Sequence, residues 1–142
     1  MTARASEIVA AARGWIGTPY IHQASLKGSG ADCLGLVRGI WREIIGPEPE
    51  SPPAYSPDWA ERKGEETLLA AALRHLVPIE VDEAGPGDVL LYRMRANAPA
   101  KHAAILASGT AASGMIIHAY SGHAVAETPQ LATLPAAAFR FP

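Results

Sequence analysis

The stretch SGADCLGLVRGIW, residues 29–41, holds the only cysteine of the chain and decides how the rest is read. Cys33 stands where a small-residue loop (Gly28, Ser29, Gly30, Ala31) turns into an apolar-periodic segment. Leu34, Val37, Trp41 and Ile44 form one stripe at helical spacing, which predicts a helix over 33–45. Asp32 is a good N-cap and Gly46-Pro47 a clean stop. Gly35 and Gly39 lie on that helix at a cost of about 1 kcal/mol each relative to alanine. Two such costs on one face predict a very close neighbour, most simply a strand.

Working outward, residues 4–14 read as a helix whose apolar face is Ile8, Ala11, Ala12 and Trp15, ended by Gly17-Thr18-Pro19. Residues 21–31 read as loop. Residues 46–57 contain five prolines and read as an extended surface loop. Ser56-Pro57-Asp58 looks like a helix start, and 58–76 is expected to be helical with a break at Gly64. The period then becomes strand-like: DVLLYRM (88–94), HAAILAS (102–108), GMIIHAY (114–120) and HAVAET (123–128), with FRF (139–141) as a fifth candidate. Gly85-Pro86-Gly87-Asp88 makes a turn before the first, and Ser121-Gly122 a hairpin turn between the third and fourth. Helices followed by an antiparallel sheet mean an α+β fold, expected as one domain over 1–142.

Composition narrows the function. The chain has 142 residues, 49% hydrophobic and 18% charged, enough for a real core. Its net charge is −2, and it has no basic run, so nucleic acid is a poor partner. A lone cysteine forms no internal disulfide. The N-terminal MTARASEIVAAARGWIG lacks the uninterrupted apolar core of a signal peptide, and no run suits a membrane span. The expectation is a protein made in the cytoplasm without its own export signal.

A single cysteine is ordinarily a small core residue. Here three features point to chemistry instead. A helix N-terminus favours a thiolate, the glycine loop leaves access, and two strands downstream carry His102 and His118. The helix end alone achieves little. Lowering a thiol pKa by about two units raises the thiolate fraction at pH 7 roughly 25-fold, and a Brønsted slope of ~0.5 takes back about tenfold. A proton donor for the leaving amine and oxyanion donors must supply the rest, each worth roughly 10²-fold or more. The Cys33 N–H is the natural first oxyanion donor, and His102 the candidate base. His118, on the next strand, could orient His102 through its second ring nitrogen. This arrangement predicts some Cys33 thiolate at pH 6. Against it stands the reading of both histidines as satisfied strand residues. His75 falls in a helix's last turn, where a cation is favourable, and reads as structural. His123 is expected to face away from the cleft, as a fallback third member. His22 could line the cleft. Zinc held by Cys33, His102 and His118 is the rival chemistry, but no CxxC, HxxxH or HExxH pair supports it. No metal or other cofactor is expected.

These pieces together resemble the NlpC-type papain-like cysteine peptidases of bacterial cell walls, and within them the phage and gene-transfer-agent tail peptidases. The matching motifs are GTPY with Tyr20, DCLGLV with Asp32 and Cys33, PGDVLLYR with Asp88, HAAIL with His102, and IIHAY with His118. The resemblance runs from WIGTPY to the closing FRFP. It implies Cys33 as nucleophile, His102 as base and His118 as the residue orienting it. It implies Tyr20 beside the thiol, helping the oxyanion, and Asp32 facing the substrate's free amine; on the residues alone Tyr20 could be a core residue and Asp32 only a cap. The implied substrate is a peptidoglycan stem peptide, cut between γ-D-glutamate and a diamino acid. The implied partners are tail or baseplate proteins of a phage-like particle that delivers the enzyme to the wall. Leu34, where many members have serine, and YIHQAS after the tyrosine depart from the pattern. Two alternatives remain. One is a catalytically inactive tail-tip structural protein. The other is an N-acetylmuramoyl-L-alanine amidase or acyltransferase using the same triad, though Cys33 preceding the histidines favours a hydrolase.

Overall fold

The computed structural model describes residues 1–51 and 66–142. The segment read as helix start and Gly64 break, together with the later part of the proline-rich loop, lies outside them.

Helix α1 spans Ala3–Arg13, with the Thr2 hydroxyl accepting the Ala5 N–H. It buries Ile8, Val9, Ala11 and Ala12, and Trp15 follows at 1% exposure. The 21–31 stretch, expected as loop, contains a small antiparallel ribbon, β1 (Ser25–Leu26) against β2 (Gly30–Ala31). Two residues per strand leave too little periodicity to read in a sequence.

Helix α2 spans Cys33–Ile44 with Asp32 as its N-cap. Its fully buried stripe is Gly35, Leu36, Gly39 and Ile40; the expected stripe, Leu34, Val37, Trp41 and Ile44, flanks it half-buried. The glycines explain the rotation. A Cβ on Gly39 would lie 2.0 Å from the Trp15 indole, and one on Gly35 only 1.9 Å from the Ala24 carbonyl oxygen. The close neighbours are thus a side chain at the end of α1 and the backbone leading into β1, rather than a strand of the main sheet. The Trp15 indole N–H donates to Glu43 of α2 at 2.9 Å, which locks the two helices.

The chain after α2 is tied back by ions: Arg38 and Arg42 hold Glu48, while Arg74 and His75 hold Glu50. Helix α3, Thr67–His75, ends one residue before the expected point. The strands are β3 (Val77–Ile79), β4 (Val89–Arg93), β5 (Ala100–Gly109), β6 (Gly114–Tyr120), β7 (His123–Pro129) and β8 (Ala137–Arg140). They form one antiparallel six-stranded sheet in the order β3-β8-β4-β5-β6-β7. The four expected strands and the fifth candidate are all present. The additional strand, β3, carries Pro78 and lies at the sheet edge, the place where a missing N–H is tolerated.

Alternation along β4 sets the layers. Val89 and Leu91 join Ile105, Ile117 and Phe139 under Ile8, Trp15, Leu36 and Ile40 of the helices. Leu90 and Tyr92 pack with Ala104, Leu106 and Ile116 on the opposite face. The outer edge of β7 is covered by the end of the α1 region, through Gly17 N–H to the Val125 carbonyl and Val125 N–H to the Thr18 carbonyl. Asp88, 3% exposed, takes the Arg140 guanidinium through both oxygens and fastens β4 to β8. Among the described residues no helix is long and apolar enough to cross a membrane.

Candidate active site

The site forms where the first turn of α2 meets the first residues of β5. Asp32 builds the helix side. Its Oδ1 accepts the Gly35 N–H and its Oδ2 the Gln23 N–H, both at 2.7 Å, and the residue is 3% exposed. The first bond caps the helix; the second clamps the turn before β1, where Gln23 adopts a φ of 67°. His22 Nδ1 stands 3.9 Å from the same carboxylate. With Gly35 N–H taken by the cap, the backbone N–H groups of Cys33 and Leu34 are directed at the Cys33 sulfur.

On the strand side the thiol lies against β5 backbone. Cys33 Sγ is 3.7 Å from the Lys101 carbonyl oxygen, and the Ala103 N–H also points at the sulfur. The residue between those two is His102. A register shift between β4 and β5 occurs at this point: Tyr92 opposes His102, while Arg93 opposes Ala100. Such an irregularity re-aims side chains at the edge of a ladder.

His102 and His118 are joined directly, Nε2 to Nδ1 at 2.9 Å, both 6% exposed. His118 continues outward, with Nε2 2.9 Å from the Thr128 hydroxyl. Tyr120 stands edge-on to both imidazoles, its ring centre 5.6 Å from His102 and 5.8 Å from His118. Tyr20 bridges to Ala31 beside Asp32 and Cys33.

Electrostatics oppose charge here. Burial first, then the Asp32 carboxylate, pushes the Cys33 thiol up to about 11, against three backbone N–H groups that pull it down. Burial, then His118, pushes His102 down to about 3. Burial and the charge of His123 lower His118 as well. Burial, then Asp32 and Cys33, raise the Tyr20 phenol. These shifts favour a neutral thiol and a neutral imidazole at rest. This corrects the expectation of thiolate at pH 6: the macrodipole and N–H donors are present, but desolvation and the neighbouring carboxylate outweigh them.

Of the five residues singled out in the sequence, Cys33, Asp32 and Tyr20 cluster on the helix side and His102 and His118 on the strand side, with the thiol against the backbone flanking His102. His123, expected to face away from the cleft, is exposed, but its ring lies 5.9 Å from that of Tyr120, so it borders the site. His75 pairs with Glu50 at the end of α3, away from this chemistry. Thr128 and Tyr120 were missed. HAVAET offered a threonine at strand spacing, but only cross-strand pairing shows that it meets His118. Among the described residues no group of three or more His, Cys, Asp and Glu side chains is placed to hold a metal ion. A cavity between α2, α3 and the sheet, lined by Leu34, Val37, Trp41, Leu68, Leu91 and Ala103, includes neither Cys33 nor His102 in its lining but adjoins the site through Leu34 and Ala103.

No protein-family profile matches the chain, and no curated protein matches it. Solved structures do. The NlpC/p60 domain of the peptidoglycan hydrolase SagA aligns with a TM-score of 0.66 at 24% identity, covering 96% of this chain and 98% of that one. An NlpC/p60 family protein from Bacillus cereus aligns at 0.65 and 21% identity, over 96% of this chain and 40% of that one. NlpC2 from Trichomonas vaginalis aligns at 0.66 and 16% identity, over 99% of this chain and 48% of that one. The chain thus spans nearly all of the SagA domain and less than half of the longer proteins. With helices packed on an antiparallel sheet and a cysteine opening the second helix, the fold is the papain-like α+β fold of NlpC/p60 domains.

Proposed function

We propose that the protein is a cysteine peptidase that hydrolyses peptidoglycan stem peptides. The observation carrying this reading is the thiol at the first turn of α2 lying against the β5 backbone on both sides of His102, whose ring is tied to His118 at 2.9 Å. Cys33 attacks the amide carbonyl as His102 takes its proton. The new charges attract each other in a site that substrate has emptied of water, which works against the burial cost each would bear alone. The N–H groups of Cys33 and Leu34 donate to the oxyanion, with the Tyr20 hydroxyl beside them. His102 then returns the proton to the leaving amine, and water completes the cycle through the same base. His118 holds the His102 ring throughout.

The bond assigned is that between γ-D-glutamate and the diamino acid. Asp32 places a negative charge next to the nucleophile, where the free ammonium of a stem peptide beginning at L-alanine would lie. A charge-assisted hydrogen bond there is worth roughly 1.5–3 kcal/mol, about ten- to a hundred-fold in selectivity. Delivery to the wall within a phage-like or gene-transfer-agent tail, docked on tail or baseplate proteins, rests on the motif resemblance.

The test is digestion of purified sacculi with identification of released fragments by mass spectrometry. Fragments ending in γ-D-glutamate, absent with Cys33→Ala, support the reading, and Asp32→Asn should weaken the preference for a free N-terminal alanine more than cleavage itself. Cuts only between sugar and L-alanine would move the protein to the amidases. No product from folded wild-type enzyme would favour a non-catalytic tail component.

A further inference from the structure

The two histidines continue into a third group. Thr128 on β7 opposes Ile116 on β6, while His118 opposes Ala126, so Thr128 and His118 are diagonal neighbours on one face of the sheet. The Thr128 hydroxyl donates to the Pro129 carbonyl at 3.1 Å. A carbonyl only accepts, so the hydroxyl hydrogen is committed and the hydroxyl oxygen must accept from His118. The 2.9 Å bond is then His118 Nε2–H to Thr128 Oγ1. His118 Nδ1 in turn carries a lone pair and accepts the His102 Nε2–H at 2.9 Å. His102 Nδ1 is left unprotonated. The backbone behind Thr128 is held as well: Gln130 N–H bonds the Gly114 carbonyl at 3.0 Å, and the Tyr92 hydroxyl bonds the Gln130 side chain.

We propose that Thr128 is a positioning residue for catalysis: anchored on the Pro129 carbonyl, it fixes the direction of the His102–His118 hydrogen-bond chain and keeps His102 in the tautomer that can act as a base. This rests on the Cys33–His102–His118 reading above. Thr128 touches no reacting atom. Without its oxygen the His118 Nε2–H has no acceptor, and His118 gains by moving its proton to Nδ1. That proton would oppose the His102 Nε2–H, which must then relocate to Nδ1, where it blocks the base.

The experiment pairs kinetics with imidazole nitrogen NMR on wild type, Thr128→Val and Thr128→Ser. In wild type both rings should carry hydrogen on Nε2. Thr128→Val should move the His118 hydrogen to Nδ1 and lower kcat roughly ten- to a hundred-fold with KM little changed. Thr128→Ser, which keeps the hydroxyl, should restore the tautomers and most of kcat. A wild-type His118 protonated on Nδ1, or a folded Thr128→Val with wild-type tautomers, overturns the proposal. A wild type that cuts no stem peptide yet shows these tautomers and their shift overturns the proposed function and leaves the role of Thr128 standing.

Discussion

Cys33 and His102 sit where neither welcomes a charge, and reactivity at the residue scale follows from that. With the thiol pushed up to about 11, the thiolate is scarce at pH 7. Against a free thiol of pKa ~8.5 its fraction falls roughly 300-fold, and the greater nucleophilicity of a more basic thiolate recovers about 20-fold. Alkylation of Cys33 by iodoacetamide at pH 7 should therefore be about tenfold or more slower than that of a free model thiol, and should accelerate steeply between pH 9 and pH 11. Intact-mass kinetics measures both rates. Faster alkylation than the model thiol at pH 6 would mean that a thiolate–imidazolium pair already exists at rest. The same residue shows why a short motif was readable. An aspartate cap, a cysteine and two glycines within eight positions have few physical explanations together, and the structure gives each its own: cap, thiol, loop contact and indole contact.

At the scale of elements, α1 and α2 are brought together by what α2 lacks. Gly39 accepts the Trp15 ring into the space a side chain would take, and Trp15 is 1% exposed. Gly39→Ala would gain about 1 kcal/mol of helix propensity but would place a carbon 2.0 Å from that ring. Overpacking costs about 1–3 kcal/mol, so the net effect should be destabilising, with Tm lower by several degrees in a thermal melt. Gly85→Ala is the control, since an added Cβ there meets nothing within 4 Å. Equal melting temperatures for the two variants would show that Trp15 yields easily and that the glycine is not required for packing. The shift would also move Cys33, which opens the same helix, so Gly39→Ala should slow any activity as well as lower Tm.

For the whole molecule, the buried imidazoles tie stability to pH. The folded pKa of His102 is lowered from 6.5 to about 3, so below pH 6.5 the unfolded chain binds a proton that the folded chain refuses. The stability is intact above about pH 6.5 and is lost progressively as pH falls toward 3, and His118, also lowered, acts in the same direction. By pH 5 the His102 contribution to this loss should reach about 2 kcal/mol. Urea midpoints at pH 7.5 and pH 5 for wild type and His102→Gln would measure it; the variant should lose less between the two pH values. Identical losses would place the His102 imidazole in contact with water.

With the roles of Tyr20 and Asp32 supplied by the motif resemblance, the sequence carried the α+β class with its helices before its sheet, four strands to within two residues, and Cys33, His102 and His118 as candidates. These are local matters: periodicity, caps, turn residues and the chemical character of single side chains. Tertiary structure decided what depends on contact between distant segments. It replaced the assumed strand beside Gly35 and Gly39 with a loop carbonyl and Trp15, and turned α2 so that its glycines face inward. It made β3 an edge strand, although Pro78 and three residues give no alternating pattern. It brought Thr128 and Tyr120 to the histidines through a β6–β7 register no single strand encodes. It also reversed the expected charge state of Cys33. The helix N-terminus that favours a thiolate is visible in the sequence, whereas the desolvation that opposes it exists only once α2 packs on β5.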